Sequence, residues 1–458
     1  MSKISTKPPS GMRDFLPAEL LRRRYVIATI QRIYEAHGFV PLETPTIENL
    51  STLLGKYGDE GDQLLYRVLH RRDALRRPLE QALAEGRLPE EGELADQGLR
   101  YDLTVPLARV VAQYGELPKF FKRYQIQPVW RADRPGKGRF REFYQCDVDI
   151  TGTRSRIAEA EVCSAVASVL DQLGFSEYSI RLNHRELLRA MIRAAGIAST
   201  AEGTALVAVD KLDKIGDEGV LAELEQRGID RGAGERLLAI LAIGELGNAD
   251  ALARLREAVD DAGKQAIAEL AELLELCTHN PAGPRLQIRP DLARGLSYYT
   301  GPIFEIAVAD LAGSLGGGGR YDELVGMFGR QPVPAVGFSI GLERILVVME
   351  QRNMFPELAL GPDLLLCWFG VGEVEVLRVA SRLRAQGLRV EVFPEQAKLG
   401  KQLQYADAPG VQAAFAGILG EQEAAAGTLT IKHLASGRQA SAALDQVTPA
   451  WLATLASG

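Results

Sequence analysis

The stretch 129–150 constrains the fold more than any other part of the sequence. Its two ends have the apolar or alternating character of strands, and a polar loop containing proline and glycine lies between them at 134–138. This pattern predicts a β-hairpin. Because side chains alternate between the two faces of a strand, one face of the second strand should carry every other residue. That face consists of Arg139, Arg141, Phe143, Gln145, Asp147 and Asp149.

The side chains on this face are ordered along the strand, with cations first, then an aromatic ring and an amide, and acids last. An ordinary solvated face mixes Thr, Ser, Lys and Glu without order. Arginines grip phosphate oxygens, a ring offers a surface on which a base can stack, and carboxylates suit an ammonium or an imidazole. The sequence therefore favours a nucleotide-binding hairpin, and the alternative is a solvated hairpin whose charges are incidental.

Two segments of the hairpin resemble a known family. Residues 130–133 followed by 138–143 are similar to motif 2 of class II aminoacyl-tRNA synthetases, and the continuation 143–149 resembles the histidyl-tRNA synthetases in particular. The resemblance implies an α+β fold, in which a catalytic core with an antiparallel sheet and a helical insertion precedes a C-terminal α/β anticodon-binding domain. It also implies an enzyme that ligates L-histidine to tRNA(His) with ATP, through a histidyl-adenylate, and releases AMP and pyrophosphate.

Periodicity predicts how the chain is divided. Residues 185–276 repeat Leu, Ala, Glu and Arg at helical spacing with glycine breaks, which is typical of an inserted helical domain. From 364 onward, strand and helix patterns alternate, as in a separate α/β domain. Together with the resemblance, these patterns predict a catalytic core at 1–184 and 281–356, a helical insertion at 185–280 and an anticodon-binding domain at 362–458.

Composition excludes several classes. The net charge of −7 argues against a generally basic nucleic-acid coat, although a local basic face is compatible with it. The four cysteines are far apart, which argues against a zinc knuckle or a disulfide framework and fits a reducing compartment. The five histidines show no metal-ligand spacing, and no apolar run is long enough for a membrane span. We therefore expect a cytoplasmic protein without a membrane partner.

The N-terminal region predicts a helix followed by an extended segment. Residues 17–37 have the pattern of an amphipathic helix. The segment 38–48 contains two prolines and is expected to be an edge strand or an interface segment, because proline cannot donate to a central ladder. The resemblance makes it motif 1, the dimer-interface strand, with Pro45 as its characteristic proline, and thus implies a homodimer. The charge-rich residues 67–97 predict a solvated helix or surface excursion.

The segment 99–106 predicts a short strand that runs into a helix, with Asp102 and Thr104 on one strand face. Thr104 could cap that helix, since threonine is a common N-cap. The resemblance instead gives both residues a place in the histidine site: Asp102 would bind the α-ammonium group, and Thr104 would add a hydrogen bond.

Three arginines stand where the resemblance expects catalytic ones. Arg131 matches the motif 2 arginine that holds the α-phosphate and the carboxylate, and Arg344 matches the motif 3 arginine that faces the γ-phosphate. Arg294 matches an arginine peculiar to the histidine enzymes, which also stabilises the α-phosphate. Adenylation needs positioning and cationic stabilisation more than a protein nucleophile. The alternative for each arginine taken singly is a structural salt bridge.

Further residues complete the ATP site that the resemblance implies. Arg139 and Arg141 would contact phosphates, and Phe143 would stack on adenine. ATP would bind with Mg²⁺, for which the sequence shows no dedicated ligand cluster.

Recognition of histidine requires partners for both nitrogens of the imidazole ring, because an unpaired polar group costs about 1–3 kcal/mol. By resemblance, Asp149 and Tyr299 contact the ring, and Gln145 and Tyr298 are neighbouring contacts. A buried tyrosine pair can also be simple core, and Asp149 could be a turn acid. One position departs from the family, since Ser297 stands where an aspartate is usual.

The glycine run 316–319 is neither a P-loop nor a dinucleotide fingerprint, because no Gly-Lys-Ser/Thr follows it and it does not open a helix. We expect a turn between strands or a close approach of the backbone to a ligand.

Two other functions are compatible with parts of the pattern. A catalytically silent relative, the regulatory subunit of ATP phosphoribosyltransferase, has a synthetase-like fold and binds histidine as a sensor. A ligase that forms small-molecule amides would also use ATP. The sensor is disfavoured by the predicted C-terminal domain and by the retained arginines, and the ligase is disfavoured by the same domain. The expected partners are therefore tRNA(His), L-histidine and ATP.

Overall fold

The computed structural model describes residues 4–136, 138–293, 298–309, 313–329 and 331–457, with the side chains of 58–60 left out. The chain divides into two units, the first comprising Met1–Phe15 and Arg22–Phe355, and the second Leu16–Leu21 and Pro356–Gly458. Among the described residues, no helix has both the length and the apolar character that a membrane crossing requires.

Two sheets form the framework of the first unit. The larger has eight strands in the order β1-β5-β6-β11-β10-β9-β7-β8, and the smaller has three in the order β2-β4-β3. In the larger sheet only the two outermost pairs are parallel. The eleven strands are β1 (Val40–Pro41), β2 (Ile47–Asn49), β3 (Arg67–Leu69), β4 (Ala95–Leu99), β5 (Phe121–Trp130), β6 (Glu142–Thr151), β7 (Ser179–His184), β8 (Leu286–Ile288), β9 (Pro302–Ala307), β10 (Gly316–Arg320) and β11 (Ala335–Gly341).

Helices pack around these sheets, and six of them, α8 to α13, form the helical insertion. The apolar faces of α7 and of the insertion belong to one continuous core that includes β6, β7 and β9. The helices are α1 (Pro17–Ala36), α2 (Leu50–Leu53), α3 (Gly58–Gln63), α4 (Asp73–Ala84), α5 (Glu91–Leu94), α6 (Thr104–Gln113), α7 (Ile157–Gln172), α8 (Arg185–Ala194), α9 (Glu202–Val209), α10 (Leu212–Gln226), α11 (Arg231–Leu241), α12 (Asn248–Ala258), α13 (Asp261–Leu276) and α14 (Leu342–Gln351).

The predicted hairpin is present as β5 and β6, an antiparallel pair that follows the edge strand β1 in the larger sheet. Its register places Trp130 opposite Glu142 and Arg123 opposite Asp149. The second strand begins only at Glu142. Arg139 and Arg141 therefore belong to the connection 131–141, and the prediction that they lie on the strand face is wrong.

The N-terminal predictions agree with the structure in outline. The helix expected at 17–37 is α1, and the proline-bearing segment supplies β1, an edge strand that pairs in parallel with β5. The charge-rich residues 67–97 contain the exposed helix α4, but they also contribute β3 and β4 to the smaller sheet. The many charged residues of this segment hid the alternation of polar and apolar residues that would have predicted these two strands.

The second unit is an α/β domain with a five-stranded sheet in the order β13-β12-β14-β15-β16. The strand β12 pairs in parallel with β13 and β14, and it is fully buried, as is typical of strands whose parallel connections place helices on the faces of a sheet. The sequence predicted β12, α15, β13, α16, β14 and β15, and it missed the short helix α17 and the last two elements, β16 and α18. The elements are β12 (Leu364–Trp368), β13 (Val390–Val392), β14 (Phe415–Leu419), β15 (Thr428–His433), β16 (Gln439–Ala443), α15 (Glu373–Ala385), α16 (Leu399–Ala406), α17 (Glu421–Ala426) and α18 (Pro449–Ser457).

The glycine run is not a turn between strands, as expected, but is itself the strand β10. It pairs with β9 on one side and with β11 on the other. An added Cβ on Gly316 would lie 2.3 Å from the carbonyl oxygen of Ser339, and one on Gly318 would lie 2.1 Å from that of Gly337. The chain therefore needs glycine here because neighbouring backbone occupies the space of a side chain.

We predict that Gly318→Ala destabilises the first unit by about 1–3 kcal/mol or more, because the new methyl group would overlap backbone that cannot rotate away. Gly115→Ala is the matched control, since an added Cβ there meets nothing within 4 Å. Thermal unfolding followed by circular dichroism would measure both. Equal midpoints for the two variants would contradict the prediction.

Candidate active site

A cleft of about 320 Å³ opens above the larger sheet, between the hairpin connection, the tyrosines that precede β9 and the N-terminus of α14. It brings together most of the residues that the sequence predicted for a ligand site. These are Asp102, Thr104, Arg131, Arg139, Phe143, Gln145, Tyr298, Tyr299 and Arg344.

Two predicted residues, Arg141 and Asp149, do not line this cleft, and a third lies outside the described residues. Arg294, like Ser297, lies outside the described residues. Arg141 lies in the hairpin connection and Asp149 is buried beneath the cleft surface. The structure places the other predicted side chains within one cavity, although they come from positions between 102 and 344 of the sequence.

Asp102 is a buried acid at the inner end of the cleft. Its Oδ1 accepts hydrogen bonds from the Tyr57 hydroxyl at 3.0 Å and from the Val105 N–H at 3.1 Å, and its Oδ2 accepts one from the Tyr298 hydroxyl at 3.2 Å. Burial raises the pKa of Asp102, and these hydrogen bonds and the nearby Arg131 oppose that rise. The arrangement can accept a cation such as an α-ammonium group.

The start of α6 differs from the expectation. The helix begins at Thr104 itself, so Thr104 is not its cap, and the carboxylate of Asp102 accepts the free N–H of Val105 instead. Both residues also lie beyond the end of β4, so the prediction that they share one face of a strand is wrong. Asp102 thus has two roles, because the hydrogen bond that caps the start of the helix also fixes the carboxylate in the cleft.

Tyr298 and Tyr299 form one wall. Their rings meet edge to face at 5.0 Å, and Tyr298 also packs on Tyr321 at 5.9 Å. Burial is the main reason why the pKa of each of the three hydroxyls is raised, so all remain protonated donors at neutral pH. The pair is therefore both core and a source of hydrogen-bond donors.

Arg131 stands at the end of β5, where the hairpin connection begins. Its Nε donates to the carbonyl of Tyr101 at 3.0 Å, and its guanidinium lies 4.2 Å from the Tyr101 ring and 5.1 Å from the Phe143 ring. Two aromatic faces thus hold a cation that lines the cleft. Phe143 lines the same cleft and presents a surface on which a base could stack.

The hairpin connection is shaped by its own polar groups. Gly136 and Arg139 exchange backbone hydrogen bonds of 3.0 Å in both directions, which makes a tight turn. Arg139 forms an ion pair with Asp133 at 2.9 Å, and its side chain is 60% exposed. Arg141 donates from Nε to the carbonyl of Asp133 at 3.0 Å. The contacts of Arg141 therefore hold the connection that presents Arg139.

Arg344 lies in the first turn of α14, and its Nη1 donates to the carbonyl of Ser314. The preceding residue, Glu343, is a cleft residue that the sequence reasoning missed. Its carboxylate accepts from buried Arg23 at 2.9 Å and from the Tyr144 N–H at 3.0 Å. Its position next to Arg344 could have drawn attention to it.

The floor of the cleft is made by β6, β10 and β11. Gln145 Nε2 donates to the Ser339 hydroxyl at 2.7 Å, whereas Gln145 Oε1 is buried and has no hydrogen-bond partner in the described part of the chain. Gly316 and Gly317 also line the cleft. The expected close approach of glycine backbone to a ligand is thus compatible with their position.

Beneath the floor lies a buried cluster of two acids and one cation. Arg123 Nη2 is 2.8 Å from Asp149 and 3.9 Å from Asp147, and all three side chains are at most 3% exposed. Burial raises the pKa of Asp149, while Arg123 lowers it. Burial likewise raises the pKa of Asp147, to about 7, against the opposing effect of Arg123. Arg123 was missed in the sequence, where a lone cation in a strand gives little signal.

Asp147 should make stability depend on pH. Its folded pKa of about 7 exceeds the ordinary 3.8, so the folded state binds more protons than the unfolded state between these values, and stability falls as pH rises through this window. We predict that Asp147→Asn, which cannot ionise, gains on the order of 2 kcal/mol relative to the unmodified protein from about pH 5 to about pH 8.

Chemical unfolding across this pH range would measure the difference. The control is Asp260→Asn: Arg193 and the Gly263 N–H lower the pKa of Asp260, so it is ionised in both states throughout the range. A constant difference between Asp147→Asn and the unmodified protein would show that Asp147 stays charged in the folded state.

Comparison with known proteins agrees with this geometry. A family model described as histidyl-tRNA synthetase matches residues 90–345, and one described as anticodon binding domain matches residues 371–452. The histidine–tRNA ligase of Cytophaga hutchinsonii is 42% identical over 447 residues, which cover 96% of this chain and 98% of that protein. The histidine–tRNA ligase of Porphyromonas gingivalis is 43% identical, with 96% and 97% covered.

Among solved structures, histidyl-tRNA synthetase from Nostoc sp. PCC 7120 superposes with a TM-score of 0.77 at 30% identity and covers 99% of both chains. The fold predicted from the sequence, an antiparallel catalytic core with a helical insertion and a C-terminal anticodon-binding domain, is therefore confirmed. The chain belongs to the histidyl-tRNA synthetase family.

Proposed function

We propose that this chain ligates L-histidine to tRNA(His) in two steps, with ATP as the energy source. The single structural observation that carries the proposal is the cleft in which an acid suited to an ammonium group, Asp102, lies close to two arginines suited to phosphates, Arg131 and Arg344. The ammonium group of an amino acid and the phosphates of a nucleoside triphosphate would both meet side chains of opposite charge there.

In the first step, a carboxylate oxygen of histidine attacks the α-phosphorus of ATP, a P–O bond forms, and pyrophosphate leaves. Negative charge accumulates on the α-phosphate and on the leaving group, so fixed cations stabilise the transition state. We assign Arg131 to the α-phosphate and the carboxylate, and Arg344 to the γ-phosphate. Arg294 is assigned to the α-phosphate on its sequence position alone.

The remaining contacts of ATP are assigned to the hairpin. Phe143 stacks on adenine, and Arg139 and Arg141 contact phosphates. Mg²⁺ belongs to the substrate as the ion that accompanies ATP. We assign it no protein ligand, and no group of three or more His, Cys, Asp or Glu residues within the described ranges could hold a metal.

Histidine is recognised at both of its polar ends in this proposal. Asp102 and Thr104 bind the α-ammonium group, and Tyr298, which donates to Asp102, is a neighbouring contact. Asp149 and Tyr299 bind the imidazole ring. Gln145 on β6 also lines the cleft, and its buried Oε1, which has no hydrogen-bond partner among the described residues, is an acceptor for a ligand N–H.

In the second step, a hydroxyl of the 3′-terminal ribose of tRNA attacks the carbonyl carbon of the adenylate, the new ester bond forms, and AMP leaves. The second unit would contribute to tRNA binding, as its match to the anticodon-binding model suggests. The same unit argues against the histidine-sensor and small-molecule-ligase alternatives, neither of which needs a tRNA-binding domain.

Further parts of the proposal concern organisation. The domain boundaries proposed from the sequence are 1–184, 185–280, 281–356 and 362–458. We propose a homodimer that pairs through the segment 38–48, in which Val40 and Ile47 are 49% and 43% exposed. A cytoplasmic location is supported by the four cysteines, all of which are free and buried.

Pyrophosphate–ATP exchange, with each amino acid supplied separately, tests the proposed function. We expect exchange only with L-histidine, followed by charging of a tRNA(His) transcript. Histidine binding without exchange would favour the sensor, and exchange with a different amino acid would contradict the specificity.

Arg131→Ala should slow histidine-dependent exchange by roughly 100-fold or more, since it removes a preorganised cation from the transition state. The matched control is Arg24→Ala, an exposed arginine on α1, for which exchange should stay within about twofold. Thermal unfolding would verify that both variants fold. Exchange by Arg131→Ala at the control's rate would remove Arg131 from the catalytic assignment.

A further inference from the structure

Arg123 occupies a position in which an arginine is costly. It lies on β5 with a fully buried side chain, directly across the sheet from Asp149. An arginine out of contact with water is retained only where charges and acceptors compensate it. Its nitrogens donate to the carbonyl of Leu103 and to Gln125 Oε1, each at 3.2 Å, and the ion pair with Asp149 supplies the charge.

The two oxygens of Asp149 are held differently. Oδ1 accepts a short hydrogen bond of 2.5 Å from the hydroxyl of Tyr321. Oδ2 lies 2.8 Å from Arg123 Nη2 but makes no aligned hydrogen bond with any described residue. The contacts therefore fix the carboxylate and neutralise part of its charge, while Oδ2 keeps a lone pair with which to accept an N–H.

Gly337 provides the space that this carboxylate occupies. It lies opposite Asp149 on β11, and a Cβ built on Gly337 would be 1.8 Å from Asp149 Oδ1. Any side chain at 337 would displace the carboxylate or the strand. Asp149 is thus confined between a cation on one neighbouring strand and a missing side chain on the other.

We propose that Arg123 and Gly337 are positioning residues that determine specificity for the imidazole ring by holding Asp149 beneath the cleft with one oxygen available. The inference rests on the proposed function and deepens it, because it explains how a buried acid can keep a fixed orientation for one ligand N–H. Neither residue contacts substrate in this assignment.

Charge balance alone is the competing explanation for Arg123, because Asp147 lies in the same cluster. The double variant Arg123→Met with Asp147→Asn separates the two explanations. At pH 8, above the pKa of about 7 of Asp147, it removes one positive and one negative group, so the cluster keeps its net charge while the support of Asp149 Oδ2 is lost. A residue that only balances charge would be dispensable in this background.

The experiment measures KM for histidine, KM for ATP and kcat by pyrophosphate exchange in the full-length protein. In the double variant we expect KM for histidine to rise about tenfold or more, with KM for ATP and kcat within about threefold. A merely structural defect would lower the active fraction, and hence kcat, without a selective change in KM for histidine.

The control is Arg109→Met. Arg109 also forms an ion pair with a buried acid, Glu48, at 2.6 Å, but neither residue lines the cleft. It should lower the melting temperature without changing KM for histidine. If the double variant has a KM for histidine within about twofold of the unmodified protein, Arg123 only balances charge and the inference is overturned.

Gly337→Ala provides a second test that leaves every charge in place and remains informative if the double variant does not fold. We expect the same selective rise in KM for histidine, because the new methyl group displaces Asp149. An unchanged KM would overturn the inference. Absence of histidine-dependent exchange in the unmodified protein would instead overturn the proposed function itself, and this result is seen before any variant is made.

Discussion

The buried charges of Asp147, Asp149 and Arg123 on the larger sheet are the constraint on which the rest of the site depends. Asp147 and Asp149 face away from solvent on β6, and a buried carboxylate is costly unless a cation and hydrogen bonds compensate it. Each neighbouring strand therefore contributes polar groups that compensate these carboxylates. The strand β5 supplies Arg123 and Gln125, whereas β11 supplies Ser339, whose hydroxyl hydrogen bond lowers the pKa of Asp147.

The glycines of β10 and β11 follow from the same constraint. A polar group on the floor of a cleft needs room above it, and a strand without side chains gives that room while keeping its ladder hydrogen bonds. Gly337 leaves space for Asp149, and Gly319 leaves space for the ring of Tyr299, which would lie 2.9 Å from an added Cβ. Glycine weakens a strand interior. Pairing of β10 on both sides offsets this weakness.

The sequence predicted the structure best where a chemical motif occurs together with a clear strand or helix periodicity. The hairpin, the helical insertion and most of the second unit have patterns long enough to be recognised, and Arg131 and Asp102 lie where motif and strand end meet. Arg123, Gly337 and Glu343 could not be found in this way. Their importance comes from partners far away in sequence: sheet register brings Arg123 and Gly337 to Asp149, and a contact between α14 and α1 brings Glu343 to Arg23.

Local rules also failed where tertiary contacts overrode them. Thr104 fits a helix cap by composition, yet Asp102 accepts the N–H of Val105 because the same carboxylate is held by two tyrosines. Arg141 continues the alternation of β6 in sequence, but the strand starts one residue later. The tyrosines that hold Asp102 and the Gly11 carbonyl that accepts from the Arg141 N–H lie far away in sequence, so periodicity does not reveal them.

The N-terminus of α14 shows how opposing charges are combined at the cleft. The free N–H groups of a helix start favour an anion, and Arg344 in the first turn adds a full positive charge. Glu343, in the same turn, would cancel this attraction if its carboxylate stood alone. Because Arg23 neutralises Glu343 and the Tyr144 N–H binds its other oxygen, the acid ties α14 to α1 and β6 beside Arg344, which lines the cleft.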